Sequence, residues 1–308
     1  MEFTITAADH GKNVLSYVRG ELGVSGRNLT KLKKLPHGIL LNGTHVTVRA
    51  LLHEGDILSL ALEDEAEDMN EHVVPVKLPL DILYEDEDVI ALNKPSAMPT
   101  HPTLNHYSDT LANALAYYFK ERGIPFVFRA VNRLDGDTGG VVLVAKNQVS
   151  AHRYSLALQR GQIEKIYIAA LAGVPEPAEG EIKGYIRRVG ESIILREVTD
   201  SPEGAKFAHT VYRIAAVGND ISAVICTPIT GRTHQLRVHF SSIGHPICGD
   251  DMYGCPEIYN IGRQALHAAK LSFPNFKTGE RIDVIAPIPE DMRALFLSCG
   301  IYPDQLFV

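Results

Sequence analysis

The chain has 308 residues, 45% of them hydrophobic and 22% charged, which suits one large soluble domain with a smaller companion. No apolar run is long enough to cross a bilayer, and the N-terminal MEFTITAADH has neither the basic flank nor the apolar core of a signal peptide. Four cysteines (Cys226, Cys248, Cys255 and Cys299) form no CxxC pair and no secreted-type framework, so structural zinc is not expected and a cytoplasmic, reducing setting is. The net charge of -7 is unevenly placed. Residues 1 to 60 carry seven Lys/Arg against five Asp/Glu, residues 61 to 90 one against eleven, and the remainder twenty-two against twenty-one. Acidity therefore sits in one stretch, and a polyanionic partner is not excluded, because binding follows local potential.

In chain order, Phe3 to Thr6 alternates as a short strand. Asn13 is positioned to cap a helix through Leu22, with Val14, Leu15, Val18 and Leu22 on one face. Ser25 opens a second helix, SGRNLTKLKKL, bearing Arg27, Lys31, Lys33 and Lys34. GILLNGTHVTV then predicts two strands joined at Asn42-Gly43, and Gly55-Asp56 turns into ILSLAL. Residues 63 to 79 lack apolar periodicity, are mostly acidic in their first half, and contain Pro75 and Pro79. They predict a solvated linker between a small unit (1–62) and a large one (80–308). Beyond it, DVIALNKP is a strand entering a loop, Asp109 or Thr110 starts a helix through Phe119, and Gln148 to Leu158 is helical. Lys165 to Leu171 alternates as a strand, while His234 to Ser241 and Pro289 to Leu297 read as helices. Regular βαβ periodicity is missing. The expected class is α+β around a mixed or antiparallel sheet.

Arg129 to Lys146, RAVNRLDGDTGGVVLVAK, concentrates the chemistry. The apolar run Val141 to Ala145 predicts a buried strand, and the loop before it holds Arg133, Asp135, Asp137, Thr138 and several glycines. Leu134 pins that loop to the core. Taken alone it fits an Asx-type turn with a surface ion pair equally well. DGDTGG lacks the third oxygen ligand and distal Glu of an EF-hand, there is no GxGxxG or GxxxxGK[ST], and a glycosidase pair at Asp135 and Asp137 rests only on a commonplace two-residue spacing. His234 and His239 are five apart, as are His101 and His106, so neither pair shares a helix face as zinc ligands would.

Asn132 to Gly140, NRLDGDTGG, resembles the His-Arg-Leu-Asp-x-x-Thr-Ser-Gly motif of the RluA family of RNA pseudouridine synthases. Three further stretches match that family in the same order: NKPSAMPTHP (Asn93 to Pro102), KIYIAAL (Lys165 to Leu171) and GRTHQLRVHFSSIGHPICGDDMYG (Gly231 to Gly254). The resemblance covers roughly Leu80 to the C-terminus. In residues 1–62, two helices followed by a hairpin resemble the small S4-like (alpha-L) RNA-binding domain often fused to such enzymes.

The resemblance implies a reaction that breaks the bond from ribose C1′ to uracil nitrogen, turns the base, and joins C1′ to C5, with no redox change and no cofactor or metal. It implies Asp135 as the carboxylate at C1′, whether by attack there, addition to the base or removal of a sugar proton. It places Arg232 as the charged partner holding Asp135 ionised. Tyr167 would offer an aromatic face to the displaced base and a phenol to help remove the C5 proton. Arg133 would fill the gap left by the extruded nucleotide. Lys165, Gln235 and Arg237 would shape the pocket or touch RNA phosphates, and Arg27, Lys31 and Lys34 would add sequence-independent RNA contacts. Asp137, His234 and His239 are expected to be structural. Ribosomal RNA of the large subunit is the expected substrate and tRNA the next, and a monomer suffices. Two departures stand out: Asn132 replaces the usual His and Gly139 the usual Ser. They motivate the rival expectation of a catalytically idle RNA-binding or ribosome-assembly protein, although Asp135, Tyr167 and Arg232 are all present.

Overall fold

A computed structural model describes residues 1–62, 73–190, 192, 194–254 and 259–306. The first ten residues of the expected acidic linker lie outside these. The N-terminal unit contains β1 (Glu2–Thr4), α1 (Val14–Gly20), α2 (Gly26–Lys34), β2 (Ile39–Leu41), β3 (Thr44–His45) and β4 (Ile57–Leu60), and its antiparallel sheet has the order β1-β4-β2-β3. Local chemistry sets these boundaries. The Asn13 and Ser25 side chains accept from the backbone N–H groups of Ser16 and Asn28, capping both helices. Asn42 and Gly43 both take positive φ (50° and 77°), the two-residue turn that matches strand twist. Val14, Val18, Leu22, Leu29, Leu32 and Leu58 form a separate core.

The large unit is built on eleven strands. They are β5 (Ile82–Glu85), β6 (Val89–Lys94), β7 (Arg129–Ala130), β8 (Gly139–Ala145), β9 (Glu164–Ala172), β10 (Glu179–Arg188), β11 (Arg196–Thr199), β12 (Lys206–Val217), β13 (Ile221–Pro228), β14 (Leu266–Pro274) and β15 (Arg281–Ile285). Its helices are α3 (Leu111–Lys120), α4 (Gln148–Gln159), α5 (Gln235–Ser242) and α6 (Glu290–Ser298). The main strand order is β11-β10-β12-β13-β9-β14-β8-β6-β5, with β7 on β8 and β15 on β14. Only β14 and β8 pair in parallel, so the sheet is mixed, as expected for an α+β protein.

β8 explains its own sequence. All seven residues, GGVVLVA, are buried. Val142 and Val144 pack with Leu111, Leu115 and Phe119 of α3, while Val141 and Leu143 pack with Tyr154 and Ala157 of α4. A strand covered on both faces loses the polar alternation of a half-exposed one.

The two units touch along α4. Its Val149 completes the N-terminal core. Asn28 donates to Gln148, and Gly23 (φ +63°) lies so close to His152 that an added Cβ would sit 2.0 Å from the imidazole. Glycine is required there on both counts. The end of the expected linker is also anchored: Val76 N–H donates to the Asn113 carbonyl and Asn113 Nδ2 to the Val74 carbonyl.

Candidate active site

Asp135 lies on the loop between β7 and β8, and the backbone carbonyls from Leu134 to Asp137 are all tied down. Lys94, fully buried at the end of β6, donates from Nζ to the carbonyls of Pro95 (2.9 Å), Met98 (2.6 Å) and Gly136 (2.9 Å). Burial pulls this ammonium down to about 7, with Asp137 and Asp135 opposing the shift. Thr100 Oγ1 donates to the Leu134 carbonyl, Arg263 to that of Asp137, and Thr138 N–H to that of Asp135. Asn132 is buried and bridges to β8, donating to the Val141 carbonyl and accepting from Leu143 N–H. The first departure from the family motif is thus a strand brace. Gly140 takes φ +115°, and a Cβ there would meet the Ala268 carbonyl oxygen at 2.2 Å, so the second glycine of the pair is indispensable.

Within this scaffold the Asp135 carboxylate accepts no hydrogen bond from the described residues and opens into a cleft of about 820 Å³. Tyr167 of β9, 9% exposed, lines the same cleft. Burial, and then the charge of Asp135, push its phenol well above the usual tyrosine range. A phenol so hard to ionise is a poor proton acceptor, which favours the aromatic-face role over help in removing the C5 proton. Lys165, two residues earlier on β9, is half-buried at the cleft wall with no partner among the described residues, and desolvation lowers its pKa. Arg133 is exposed at the rim.

One expected pairing is not seen, and Gln235 and Arg237 take the pocket-shaping alternative of the two expected for them. Arg232 lines the cleft but does not pair with Asp135: its Nε donates to the Phe207 carbonyl at 2.8 Å. The physical reason is that β13 ends at Pro228, opposite Thr210, leaving the Phe207 carbonyl without a strand partner on that side. Gln235 is 4% exposed and holds the Arg232 loop from inside, accepting from Thr230 Oγ1 and Arg232 N–H and donating to the His209 carbonyl and Thr210 Oγ1. Arg237, also 4% exposed, makes a bidentate pair with the buried Asp250 at 2.6 and 2.7 Å. Donors committed this way brace the wall of the cleft and do not reach phosphates. Asp137 is exposed and lies off the cleft lining, in keeping with a structural role.

Sequence reasoning missed Lys94, whose carbonyl partners lie up to forty-two residues away. It missed Asp250, since nothing in GDD marks the partner of Arg237. It also set His234 aside, although this residue lines the cleft and takes φ 57° just before α5, which begins at Gln235 and not at His234. Arg27, Lys33 and Lys34 are exposed on α2, whose Leu29 and Leu32 face the core; Lys31 is half-buried.

A sequence model for the family described as RNA pseudouridylate synthase matches residues 88–242, which contain Asp135, Tyr167 and Arg232. This chain belongs to that family. The synthase is 40% identical over 276 residues to the uncharacterized RNA pseudouridine synthase YjbO of Bacillus subtilis (strain 168), covering 90% of this chain and 95% of that one. It is 35% identical over 296 residues to ribosomal large subunit pseudouridine synthase D of Vibrio cholerae, covering 91% and 84% respectively. Among solved structures, human RNA pseudouridylate synthase domain containing 1 superposes with a TM-score of 0.57 at 28% identity, covering 70% of this chain and 87% of that one. The synthase is accordingly an isomerase that converts uridine in RNA to pseudouridine.

Proposed function

We propose that the synthase modifies one or a few uridines of large-subunit ribosomal RNA, with Asp135 as the carboxylate that acts at C1′. The observation that carries this reading is the free carboxylate itself. Asp135 sits on a loop clamped by Lys94, Thr100 and Arg263, yet its oxygens accept nothing from the described residues. A reactive group held by its backbone and left unsatisfied at its tip is preorganised for substrate. Relatives named for the large ribosomal subunit support the choice of RNA.

In this reading Tyr167 offers its ring to the detached uracil, and Arg133 enters the gap that the extruded nucleotide leaves. Lys165, the unpartnered cation of the cleft wall, meets a phosphate. Arg232 leaves the Phe207 carbonyl and closes on Asp135 once RNA excludes water, where a charge-assisted pair gains strength. The S4-like unit adds backbone contacts through Arg27, Lys31 and Lys34 of α2, which strengthen binding without choosing the uridine. The protein works as a cytoplasmic monomer.

The test is a pseudouridine map of ribosomal and transfer RNA from cells with and without the gene, complemented by wild type or by Asp135→Ala. Sites lost from large-subunit RNA and restored only by wild type are expected. Loss confined to tRNA would move the substrate, and an unchanged map would overturn the reading.

A further inference from the structure

One histidine of the cleft is fixed at one end of its ring and open at the other. His234 takes φ 57° and ψ 20°. A non-glycine residue in this region is strained and persists where its surroundings over-determine it. Here the constraint is Tyr253. Its hydroxyl lies 2.8 Å from His234 Nδ1, with the two rings edge-on at 5.7 Å. Tyr253 is itself held by several contacts. Arg196 N–H donates to the same phenol oxygen at 3.1 Å, Arg237 lies 5.1 Å over the ring, and Ser241 Oγ donates to the Tyr253 carbonyl.

The proton positions follow from this arrangement. The phenol oxygen already accepts from Arg196, and its single proton has one acceptor within reach, His234 Nδ1. Among the described residues the phenol proton finds an acceptor only when it is donated to Nδ1, an arrangement that leaves the imidazole proton on Nε2. Burial also lowers the pKa of His234, so the ring is neutral at pH 7 with that one N–H. No described residue accepts from Nε2. It is nevertheless not sealed off, unlike Nε2 of His209, Nε2 of His239 and Nδ1 of His267. His234 and Asp135 line the same cleft, with no hydrogen bond or ion pair joining them.

We infer that His234 is a specificity-determining donor whose Nε2–H meets a carbonyl oxygen of the target uracil, and that Tyr253 is the positioning residue that fixes its tautomer. The inference rests on the cleft being the uridine site. Uracil carries carbonyls at C2 and C4. Bringing C5 to where N1 was turns the ring about the axis through N3 and C6, and that turn exchanges the two carbonyls. One fixed donor is therefore satisfied before and after the base rotates, whereas cytosine would present an amino group in one of the two orientations. A buried site built to give a hydrogen bond rejects a base that cannot receive it.

The experiment uses the full chain and total RNA, labelled with tritium at uracil C5, from cells lacking the gene; joining C1′ to C5 releases the label. His234→Gly suits the left-handed backbone and removes the donor, while His234→Asn tolerates that backbone and keeps an N–H. We expect kcat/KM to fall about tenfold or more in the Gly variant, a loss the size of one good hydrogen bond, with partial recovery in Asn. Nitrogen NMR should find His234 protonated at Nε2 in wild type and mixed in Tyr253→Phe. A Gly variant within twofold of wild type, or a tautomer indifferent to Tyr253→Phe, would overturn the inference. Release of no tritium by wild type would overturn the parent proposal, and the donor role with it, whereas the first two results leave that proposal standing.

Discussion

At the scale of single residues the site separates what holds from what acts. Tyr167 is buried, and its phenol resists ionisation, so its ring should matter more than its hydroxyl. Tyr167→Phe is expected to stay within about tenfold of wild-type kcat, and Tyr167→Leu to lose about a hundredfold or more, as read by tritium release from uracil C5. The reverse order would restore the phenol as a proton-transfer group. Gly139 is a second case. Nδ1 of the buried His267 has no partner, and a Cβ at Gly139 would lie 3.4 Å from it and 3.3 Å from the Lys94 carbonyl oxygen. Gly139→Ser, the residue usual in the family motif, should place a hydroxyl where it can donate to that nitrogen and raise stability by about 1 kcal/mol in urea denaturation. A loss would mean that the tight contact to Lys94 dominates. Asp135, Tyr167 and Arg232 were legible in the sequence because a motif fixes their order. The Arg232–Phe207 contact was not, since it depends on where β13 stops.

At the scale of elements, the loop that carries Asp135 is held by a lysine acting as a strut. Lys94→Met removes the donor that, among the described residues, joins the carbonyls of Pro95, Met98 and Gly136. A fall of about 2–4 kcal/mol in stability is expected, together with a larger fall in kcat than in RNA affinity. An unchanged kcat would show that the loop keeps its shape without the strut. Several helix and hairpin boundaries could be read because their determinants are local: Asn13, Ser25 and Thr110 cap helices, and Asn42-Gly43 makes a hairpin, whereas β14 and β15 were not read. β7 and β11, two and four residues long, could not, because only their neighbours in the sheet make them strands. Contact between the N-terminal unit and α4 was equally hidden, since the need for glycine at position 23 arises from His152.

At the scale of the molecule, stability should respond to pH through two buried histidines. Burial holds His239 and His267 at about 4 against an ordinary 6.5. Between pH 6.5 and 4 the unfolded chain binds protons that the folded chain refuses, so stability is retained above that window and lost as pH falls through it. The urea midpoint should drop between pH 7 and pH 5, and a midpoint that rose would contradict the neutral assignments. The net charge of -7 is no obstacle to RNA, because residues 61–90 carry the acidity and the cleft is rimmed by Arg133, Lys165 and Arg232. The central claim is that a free carboxylate on a preorganised loop performs the isomerisation. Its most direct test is single-turnover tritium release by Asp135→Asn, a near-isosteric change that replaces one carboxylate oxygen with an amide nitrogen, with RNA binding measured alongside. Release is expected to fall by about a thousandfold or more while binding stays within a few fold. Release near the wild-type rate would contradict it.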